Sequence, residues 1–508
     1  VYKRQPLNSF DIVGFSIQHE LCYSNILNLL ELGRIPLRSE ERKEDDPLVI
    51  AGGPGAFNAE PLSVFFDLFV IGEGEEIIGE IIEVYKRWKG KKQSRASLLE
   101  ELARIEGIYV PSHFEVTYFK DGRVKSVNPK KETYYSVIKK QIISDFDKVA
   151  YPLFPIVPNI DVVHDRITLE IFRGCTRGCR FCQAGMIYRP VREKSVDTLI
   201  RLADEILAHT GYEEISLSSL SSSDYSEIES LITKLVDRFE EKGVGVSLPS
   251  LRVDSFSVAL AEQVQRVRKA GLTLAPEVGT QRLRDVINKN VQEEDLYSSI
   301  RAAFEKGWRK IKLYFMVGLP TETEEDVEGI VRLISKVDRM GREITGRKVN
   351  INVSVSAFVP KPHTPFQWEA QEERESLFKK IRYLKNKLNW RNVSFSYPDI
   401  DRSYLEAVFA RGDRRLGEVL ERAHHLGCKF DAWREQFNFE AWQKAFNDCG
   451  LDMEFYAIRV REKDEILPWD HISCGVKKEY LLEEKEKALR GETTPDCRFE
   501  KCTGCGVC

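Results

Sequence analysis

The chain has 508 residues, of which 42% are hydrophobic and 31% charged, and its net charge is −4. This composition is ordinary for a globular protein of two to four domains, at roughly 100–200 residues per domain. No apolar run approaches the roughly 20 residues that cross a bilayer, so we expect no membrane partner. The charge offers no overall basic surface for nucleic acid. Because the chain begins at Val1 rather than Met, we expect its true N-terminus to lie upstream.

Residues 1–95 predict a Rossmann-like α/β domain, truncated at its start. Strand-like runs at 11–17, 47–51 and 68–71 alternate with helical apolar spacing, which implies a parallel sheet. Glycine-rich turns follow two of these strands, at 52–54 and 72–75. Such turns are where sheets of this kind bind ligands.

Residues 96–160 predict a connector. A small hairpin is expected within 107–127, and the prolines Pro152, Pro155 and Pro158 indicate an extended crossing into the next domain.

Residues 161–388 predict a partial (β/α)6 barrel. Helical stretches lie between six strand candidates, at 167–172, 214–219, 244–249, 272–275, 310–317 and 350–358. In such barrels the reactive groups lie at the C-terminal ends of the strands.

Cys175, Cys179 and Cys182 follow the first barrel strand with C-x3-C-x2-C spacing. Three thiolates can hold three irons of a four-iron four-sulfur (4Fe-4S) cluster and leave the fourth iron open to a substrate. The alternatives are a structural zinc site or unrelated buried thiols. Zinc needs a fourth ligand, and the next cysteine in sequence is Cys428.

The run 171–183, including Phe181 before the last cysteine, resembles the signature of the radical S-adenosylmethionine (SAM) enzymes. The resemblance implies that the open iron chelates SAM and that one electron cleaves it to methionine and a 5′-deoxyadenosyl radical. It also implies a reductant such as ferredoxin or flavodoxin. The residues that handle the substrate, and the substrate itself, stay unknown at this stage.

Residues just past the other barrel strands are candidates for SAM binding. Serines replace the family's usual glycine-glycine-glutamate after the second strand, and a solvated turn is the alternative there. After the fourth strand, a helix N-terminus offers free N–H groups and an arginine that can clamp a carboxylate, or simply a helix cap. The fifth strand resembles the family's adenine-packing strand. The candidates are Ser218, Ser219, Asp224, Ser250, Arg252, Glu277, Thr280, Arg282, Met316 and Gly318.

The N-terminal glycine turns resemble those of the cobalamin-binding-like domain that precedes many radical SAM barrels. The chain lacks the Asp-x-His-x-x-Gly segment by which related domains supply a histidine to cobalt, and His19 has the wrong context. Cobalamin binding and a degenerate domain that only packs are both open.

Residues 389–508 predict an α-rich region with a cysteine-rich tail. The tail has C-x4-C-x2-C-x2-C spacing, which fits either zinc or a second iron–sulfur cluster, and Cys474 could compete as a ligand. Its cysteines are Cys497, Cys502, Cys505 and Cys508. The run 411–415 is a candidate for phosphate or carboxylate recognition, and Lys361 and His363 are candidate substrate contacts.

The main functional hypothesis is a cytoplasmic radical SAM enzyme, because clustered thiols in a long chain favour metal binding in a reducing compartment. Methylation through cobalamin is one form of it. A second hypothesis is methylthiotransferase-like sulfur insertion into RNA or protein, with the net charge weighing against RNA. A third is a non-catalytic iron–sulfur electron carrier or sensor, which would need neither an open iron nor a barrel.

Overall fold

The computed structural model describes residues 5–91, 93–160, 162–248 and 272–507. It divides into two compact units. Unit 1 comprises residues 1–143, 359–374 and 399–482, and unit 2 comprises 144–358, 375–398 and 483–508. None of the helices in these described ranges is long and apolar enough to cross a membrane.

Unit 1 is built on a four-stranded sheet in the order β1-β2-β3-β4. The first three strands are parallel and the fourth is antiparallel to the third. Four of the five residues of β2 are buried and aliphatic, as expected for a strand inside a parallel sheet. The strands are β1 (Ile12–Ser16), β2 (Leu48–Gly52), β3 (Leu68–Val70) and β4 (Ile108–Tyr109).

The rest of unit 1 contains two small strand pairs and a group of helices. The predicted hairpin is present as β5 (Phe114–Tyr118) and β6 (Val124–Pro129). Strand β7 (Ile138–Lys139) pairs in parallel with β17 (Ile472–Ser473). The helices are α1 (Tyr23–Leu32), α2 (Ile77–Lys89), α3 (Arg95–Leu102), α11 (Ile400–Ala410), α12 (Leu416–His425), α13 (Phe439–Asp448), α14 (Met453–Ala457) and the first part of α15 (Lys478–Arg490).

Unit 2 contains two parallel sheets that match the predicted barrel strands closely. One has the order β12-β11-β8 and the other the order β13-β14-β15-β16. The structure adds β16, a seventh parallel strand beyond the six that the sequence predicts. The strands are β8 (Ile167–Glu170), β11 (Glu214–Ser218), β12 (Gly245–Ser247), β13 (Leu272–Glu277), β14 (Lys310–Val317), β15 (Asn350–Ala357) and β16 (Val393–Ser396).

Helices alternate with these strands, which confirms the α/β class. The apolar face of α6 (Ile228–Phe239) is buried in one cluster with residues of β8 and β11. A short antiparallel pair, β9 (Phe172–Arg173) and β10 (Arg192–Glu193), follows β8. The helices are α4 (Ala184–Ile187), α5 (Val196–Thr210), α6 (Ile228–Phe239), α7 (Gln281–Val286), α8 (Glu293–Glu305), α9 (Glu324–Thr345) and most of α10 (Arg374–Lys387), with the last part of α15.

Parallel pairing brings the carboxyl ends of neighbouring strands to one edge of each sheet. The cysteine loop follows β8 and β9, the serine run follows β11, Glu277 ends β13 and Gly318 follows β14. The candidate site therefore lies at the carboxyl ends of the strands of these two sheets.

Candidate active site

The cysteine loop, residues 174–183, runs from β9 to α4. Gly174 at its start has a φ of +94°, and a Cβ there would lie only 2.4 Å from the carbonyl oxygen of Pro190. Only glycine fits that conformation and that close approach. The backbone therefore enters the loop along a fixed course.

Replacing Gly174 with alanine should distort this entry, because the added Cβ meets rigid backbone and the positive φ is strained. We expect a loss of roughly 2–4 kcal/mol of local stability. Iron content after anaerobic reconstitution should fall about 10-fold, as when supporting residues of a metal site are lost. The control is Gly211→Ala, whose φ is +70° with nothing within 4 Å of the new Cβ. Equal iron content in the two variants would contradict the prediction.

Cys175, Cys179 and Cys182 are all partly buried and lie close enough to interact electrostatically. The backbone N–H of Gly185 donates to Cys182 Sγ at 3.4 Å. Burial raises the pKa of the Cys182 thiol to about 12, with further rises from Cys179 and Cys175 and a small opposing effect of Lys289. Three neighbouring soft sulfur ligands on one loop fit an iron–sulfur cluster.

Arg180 anchors the loop between its second and third cysteines. Its guanidinium is fully buried and donates to Glu484 Oε2 at 3.1 Å and to the carbonyl of Val286 at 3.0 Å. Its backbone N–H donates to the carbonyl of Ile287 at 3.0 Å. The Glu484 side chain is only 1% exposed, so both charges of this pair are removed from water.

Asn288 supports the same loop from the segment after α7. Its φ is +52°, and its Nδ2 donates to the carbonyl of Gly178 at 3.2 Å. Its Oδ1 accepts the backbone N–H of Thr494 at 2.8 Å. One side chain thus joins the cysteine loop to the C-terminal tail.

Asp224, a candidate for SAM binding, is paired with Arg177, which lies between the first two cysteines. Arg177 Nε donates to Asp224 Oδ2 at 2.9 Å, and a second hydrogen bond joins Arg177 Nη2 to Oδ1. The structure therefore brings Asp224 to the cysteine loop, where its carboxylate fixes the loop.

The two serine candidates lie at the same edge. The carbonyl of Ser218 accepts the backbone N–H of Ile171 at 3.0 Å, just before the loop. Ser219 Oγ and Ser222 Oγ are hydrogen-bonded at 3.0 Å. These bonds order the serine run as a turn beside the loop.

Glu277 and Lys289 form an ion pair near the thiols. Lys289 Nζ lies 2.8 Å from Glu277 Oε1, and Lys289 also acts electrostatically on Cys182. Glu277 has a φ of +67°, which is strained for a residue with a Cβ. Strain of this kind collects at ligand sites, so Glu277 remains a candidate for SAM binding.

Thr280 and Arg282, in contrast, are engaged by the start of α9. Thr280 caps α7 and donates to Asp326, and Arg282 pairs with Asp326 and donates to the carbonyl of Thr321 at 2.9 Å. These bonds match the helix-cap alternative. The structure does not bring either side chain to the cysteine loop through any described contact.

Met316 and Gly318 lie at the end of β14. Met316 is half-buried, on the strand face opposite to the buried Phe315 and Val317. Gly318 has a φ of +82° and donates its N–H to Glu322 Oε1 at 2.9 Å. Two other SAM-binding candidates, Ser250 and Arg252, and the tail residue Cys508 lie outside the described residues.

Buried residues alternate with half-buried or exposed ones along β13, β14 and β15. One face of these strands is buried and apolar, and the other is half-buried or exposed. The second face carries Thr273, Glu277, Lys312, Tyr314, Met316, Asn352, Ser354 and Ser356. It offers polar groups and one aromatic ring to a ligand.

In unit 1, the candidate substrate contact Lys361 is paired with carboxylates of the protein. Lys361 Nζ lies 2.7 Å from Glu20 Oε2 and 2.8 Å from Glu406 Oε1. His19, Glu20 and Glu406 are the one group of three potential metal ligands within 4.8 Å among the described residues, and His19 Nε2 lies 3.4 Å from Glu406. Although burial opposes the shift, Lys361 and His19 lower the pKa of Glu406 to about 2. The Lys361 ammonium therefore balances these carboxylates.

His363 and the arginine run are also held inside unit 1. His363 is buried, with a ring nitrogen 2.9 Å from the Phe57 carbonyl and a hydrogen bond to Cys474. Burial opposes both charges, yet this bond raises the pKa of His363 and lowers that of Cys474. In the run 411–415, Arg411 donates to backbone carbonyls, while Arg414 pairs with Glu60 at 3.0 Å.

His471 makes the stability of unit 1 dependent on pH. It is 4% exposed, packs on Tyr109 and lies 3.5 Å from Glu60. Burial lowers the pKa of His471 to about 4, with Arg414 and His363 acting in the same sense and Glu60 and Asp470 opposing. Because the unfolded chain binds this proton near pH 6.5, stability present above pH 6.5 is lost as the pH falls toward 4.

We expect about 2 kcal/mol of unfolding free energy to be lost between pH 6.5 and pH 5 through His471. The measurement is urea denaturation, followed by the fluorescence of the buried Trp442 and Trp469. His471→Phe should flatten this dependence, whereas His425→Gln, at an exposed histidine, should not. An unchanged slope in His471→Phe would contradict the assignment.

Sequence reasoning missed the residues that contact the cysteine loop or the groups beside it: Arg177, Arg180, Asn288, Lys289, Asp496 and Arg498. Two signals were available. Arg177 and Arg180 lie inside the cysteine motif, and Asp496 and Arg498 flank a tail cysteine with opposite charges. Their partners are distant in sequence, so the pairing itself could not be read from the chain.

Two family models match the chain. "Radical SAM proteins, N-terminal" matches residues 1–111, and "Radical SAM superfamily" matches residues 169–334. The second range contains the cysteine loop, Asp224 and Glu277.

Individual proteins are also similar to the chain. "Uncharacterized protein MJ0966" of Methanocaldococcus jannaschii is 30% identical over 449 residues, covering 88% of this chain and 87% of that protein. "Uncharacterized methyltransferase PH0819" of Pyrococcus horikoshii is 21% identical, covering 58% and 59%. Among solved structures, the cobalamin-dependent SAM radical enzyme OxsB is 14% identical with a TM-score of 0.48, covering 95% and 72%.

Proposed function

Because the chain belongs to the radical SAM superfamily, we propose that it uses a SAM-derived radical to methylate a substrate bound at the strand edge of unit 2. The observation that carries the proposal is the cysteine loop itself. Its three neighbouring thiols lie at the carboxyl ends of parallel strands, beside the Glu277–Lys289 pair. An iron–sulfur electron carrier would need no such ligand site at the edge of the strands.

The enzyme requires a 4Fe-4S cluster, for which Cys175, Cys179 and Cys182 are the ligands that we propose. When bound, the cluster supplies the electron that splits SAM into methionine and a 5′-deoxyadenosyl radical. The protein holds the loop in place through Arg177, Arg180 and Asn288.

Glu277 and Lys289 are the residues that we assign to the methionine part of SAM. They place a carboxylate and an ammonium group 2.8 Å apart, near Cys182. The amino acid end of SAM carries the complementary pair, an ammonium group and a carboxylate. Charge-assisted hydrogen bonds to both would orient it toward the cluster. Met316 and Gly318 are the residues that we assign to the adenine.

The methyl group is inferred as the transferred group from a relative and from the face of the sheet. A relative that is 21% identical carries the name of a methyltransferase. The polar face of β13, β14 and β15 carries hydroxyl, amide and charged side chains that could bind a polar substrate. The electron comes from a reductant of the ferredoxin or flavodoxin class in this proposal, and a reducing cytoplasm keeps the ligand cysteines as thiols.

Cobalamin would supply the methyl carrier for this reaction, because reductive cleavage leaves the methyl group of SAM on methionine. The glycine turns of unit 1 are closely packed, since a Cβ on Gly53 would lie 2.9 Å from the carbonyl oxygen of Ile17 and one on Gly72 would lie 2.3 Å from that of Gln141. Absorption spectra after reconstitution with hydroxocobalamin test the binding, and the absence of a bound corrinoid would overturn methylation through cobalamin.

The test of the main proposal is SAM cleavage by the anaerobically reconstituted, dithionite-reduced protein. We expect 5′-deoxyadenosine and methionine to form only with reductant. A protein with a full cluster that leaves SAM intact would refute the proposal and favour an electron carrier.

Methylation is tested separately, with SAM deuterated in its methyl group and with protein, RNA and small-molecule fractions of a cell extract. We expect the labelled methyl group in one fraction, as detected by mass spectrometry. A methylthio group, or SAM consumed without label transfer, would overturn methylation and leave radical formation standing.

A further inference from the structure

We propose that the C-terminal tail holds a second iron–sulfur cluster, docked on the cysteine loop. The ligands that we propose are Cys497, Cys502 and Cys505; Cys508, the last cysteine of the sequence motif, lies outside the described residues. The proposal concerns a site separate from the SAM-binding cluster. It rests on the spacing of the tail cysteines, the local backbone and the contacts that fix the tail to unit 2.

The spacing favours iron–sulfur over zinc. The run from Cys502 to Cys508 places three cysteines at C-x2-C-x2-C. This is the start of the bacterial ferredoxin pattern, in which a further cysteine comes from elsewhere in the chain. Structural zinc sites usually use two C-x2-C pairs separated by a longer stretch. Cys497, five residues before Cys502, supplies the remaining thiol.

The backbone of the tail suits a shared metal centre. Gly504 and Gly506, between the cysteines, have φ values of +73° and +95°. The N–H of Gly504 lies 3.5 Å from Cys502 Sγ, as the N–H of Gly185 lies 3.4 Å from Cys182 Sγ in the first loop. Hydrogen bonds of this kind to sulfur tune iron–sulfur clusters. Cys505 is 2% exposed whereas Cys502 is exposed, so the centre would lie just below the surface.

The residues on either side of Cys497 bind the cysteine loop and its neighbours. Asp496 Oδ2 lies 3.2 Å from Arg177 Nε, and Arg177 lies between Cys175 and Cys179. Arg498 donates to the carbonyl of Asp224 at 2.6 Å and pairs with Glu193 at 2.5 Å. The neighbour of Cys497, Asp496, therefore contacts the first cysteine loop directly.

The tail is also anchored upstream by groups that need no metal. Thr494 donates its N–H to Asn288 and its hydroxyl to Glu484 at 2.7 Å. Glu484 in turn pairs with Arg180 in the cysteine loop. Because these contacts already order the segment, a zinc ion is not needed to fold it. A redox centre placed beside the first cluster is the better account of four tail cysteines.

The experiment compares iron, acid-labile sulfide and zinc in three reconstituted proteins. They are the native protein, the loop variant C175A/C179A/C182A and the tail variant C497A/C502A/C505A. We expect about eight irons in the native protein and about four in each variant, as for two four-iron clusters. The loop variant should still show the absorption and the reduced-state electron paramagnetic resonance signal of a cluster.

The control is Cys449→Ala, at a half-buried cysteine outside both groups, and it should keep the native metal content. Zinc in place of iron in the loop variant, or no metal there at all, would overturn the proposal. The second cluster is read in a variant that has no SAM-binding cluster. Failure of this proposal is therefore distinguishable from failure of the proposed function.

Discussion

Cys175→Ala is expected to abolish reductive SAM cleavage. Cys175 is one of only three cysteines on its loop, so its loss leaves a second iron of the cluster without a protein ligand. Loss of a residue that only supports a metal ligand already lowers metal affinity or activity by about 10–100-fold. We therefore expect the rate of SAM cleavage to fall by more than about 100-fold when a ligand itself is lost. The measurements are 5′-deoxyadenosine formation and the iron content of the same sample.

Cys449→Ala is the matched control, because it removes a half-buried thiol that belongs to neither cysteine group. It should retain full SAM cleavage. If Cys175→Ala cleaved SAM at the native rate, the C-x3-C-x2-C loop would not be the SAM-binding cluster site. Hydrogen exchange of Cys175→Ala separates ligand loss from misfolding. Exchange that stays native outside residues 170–190 would show that the variant is folded and has lost only a ligand.

The second large effect is expected from Arg180→Met, which keeps the apolar stem and removes the guanidinium. The variant removes the buried Arg180 cation from Glu484, which keeps its pair with Lys487 at 3.1 Å, and it leaves the carbonyls of Val286 and Glu492 without the Arg180 donor. Breaking a buried ion pair from one side typically costs about 3–5 kcal/mol. We expect the cysteine loop, the segment after α7 and the tail to loosen together.

Hydrogen–deuterium exchange with mass spectrometry is the measurement, because it reports each of these segments separately. Exchange should rise in the peptides that contain Cys179, Asn288 and Thr494. The control is Arg201→Met, whose exposed pair with Glu205 is worth at most about 1 kcal/mol. Equal protection in both variants would show that the buried pair does not hold the loop.

The barrel strands could be predicted closely because their signal is local. The run 310–317 begins with alternating lysines and aliphatic residues, and it forms β14 as predicted. Strand β16 was missed, since its four residues lie at the start of what composition suggested was an α-rich region. It pairs with β15, about 40 residues earlier in the chain, and no local sequence pattern indicates that pairing.

In the candidate site, too, local features could be predicted from the sequence and contacts between distant residues could not. The cysteine spacing could be recognised because Cys175, Cys179 and Cys182 lie on one short loop of the sequence. Asp224 follows the second barrel strand in the sequence, yet its partner Arg177 is 47 residues away. Thr280 and Arg282 had the residue types of an anion site, but Asp326 of another helix takes up their hydrogen bonds.

By itself, the sequence determined the α/β class, the positions of six barrel strands along the chain and the two groups of cysteines, because periodicity and ligand spacing act over a few residues. Only the tertiary structure decided which charges meet. It paired Arg180 with Glu484, Arg177 with Asp224 and Asp496, and Glu277 with Lys289. A buried charge needs a partner at contact distance, and folding brings that partner from any part of the chain. The tail that looked like a separate cysteine motif is thereby joined to the loop on which the proposed chemistry begins.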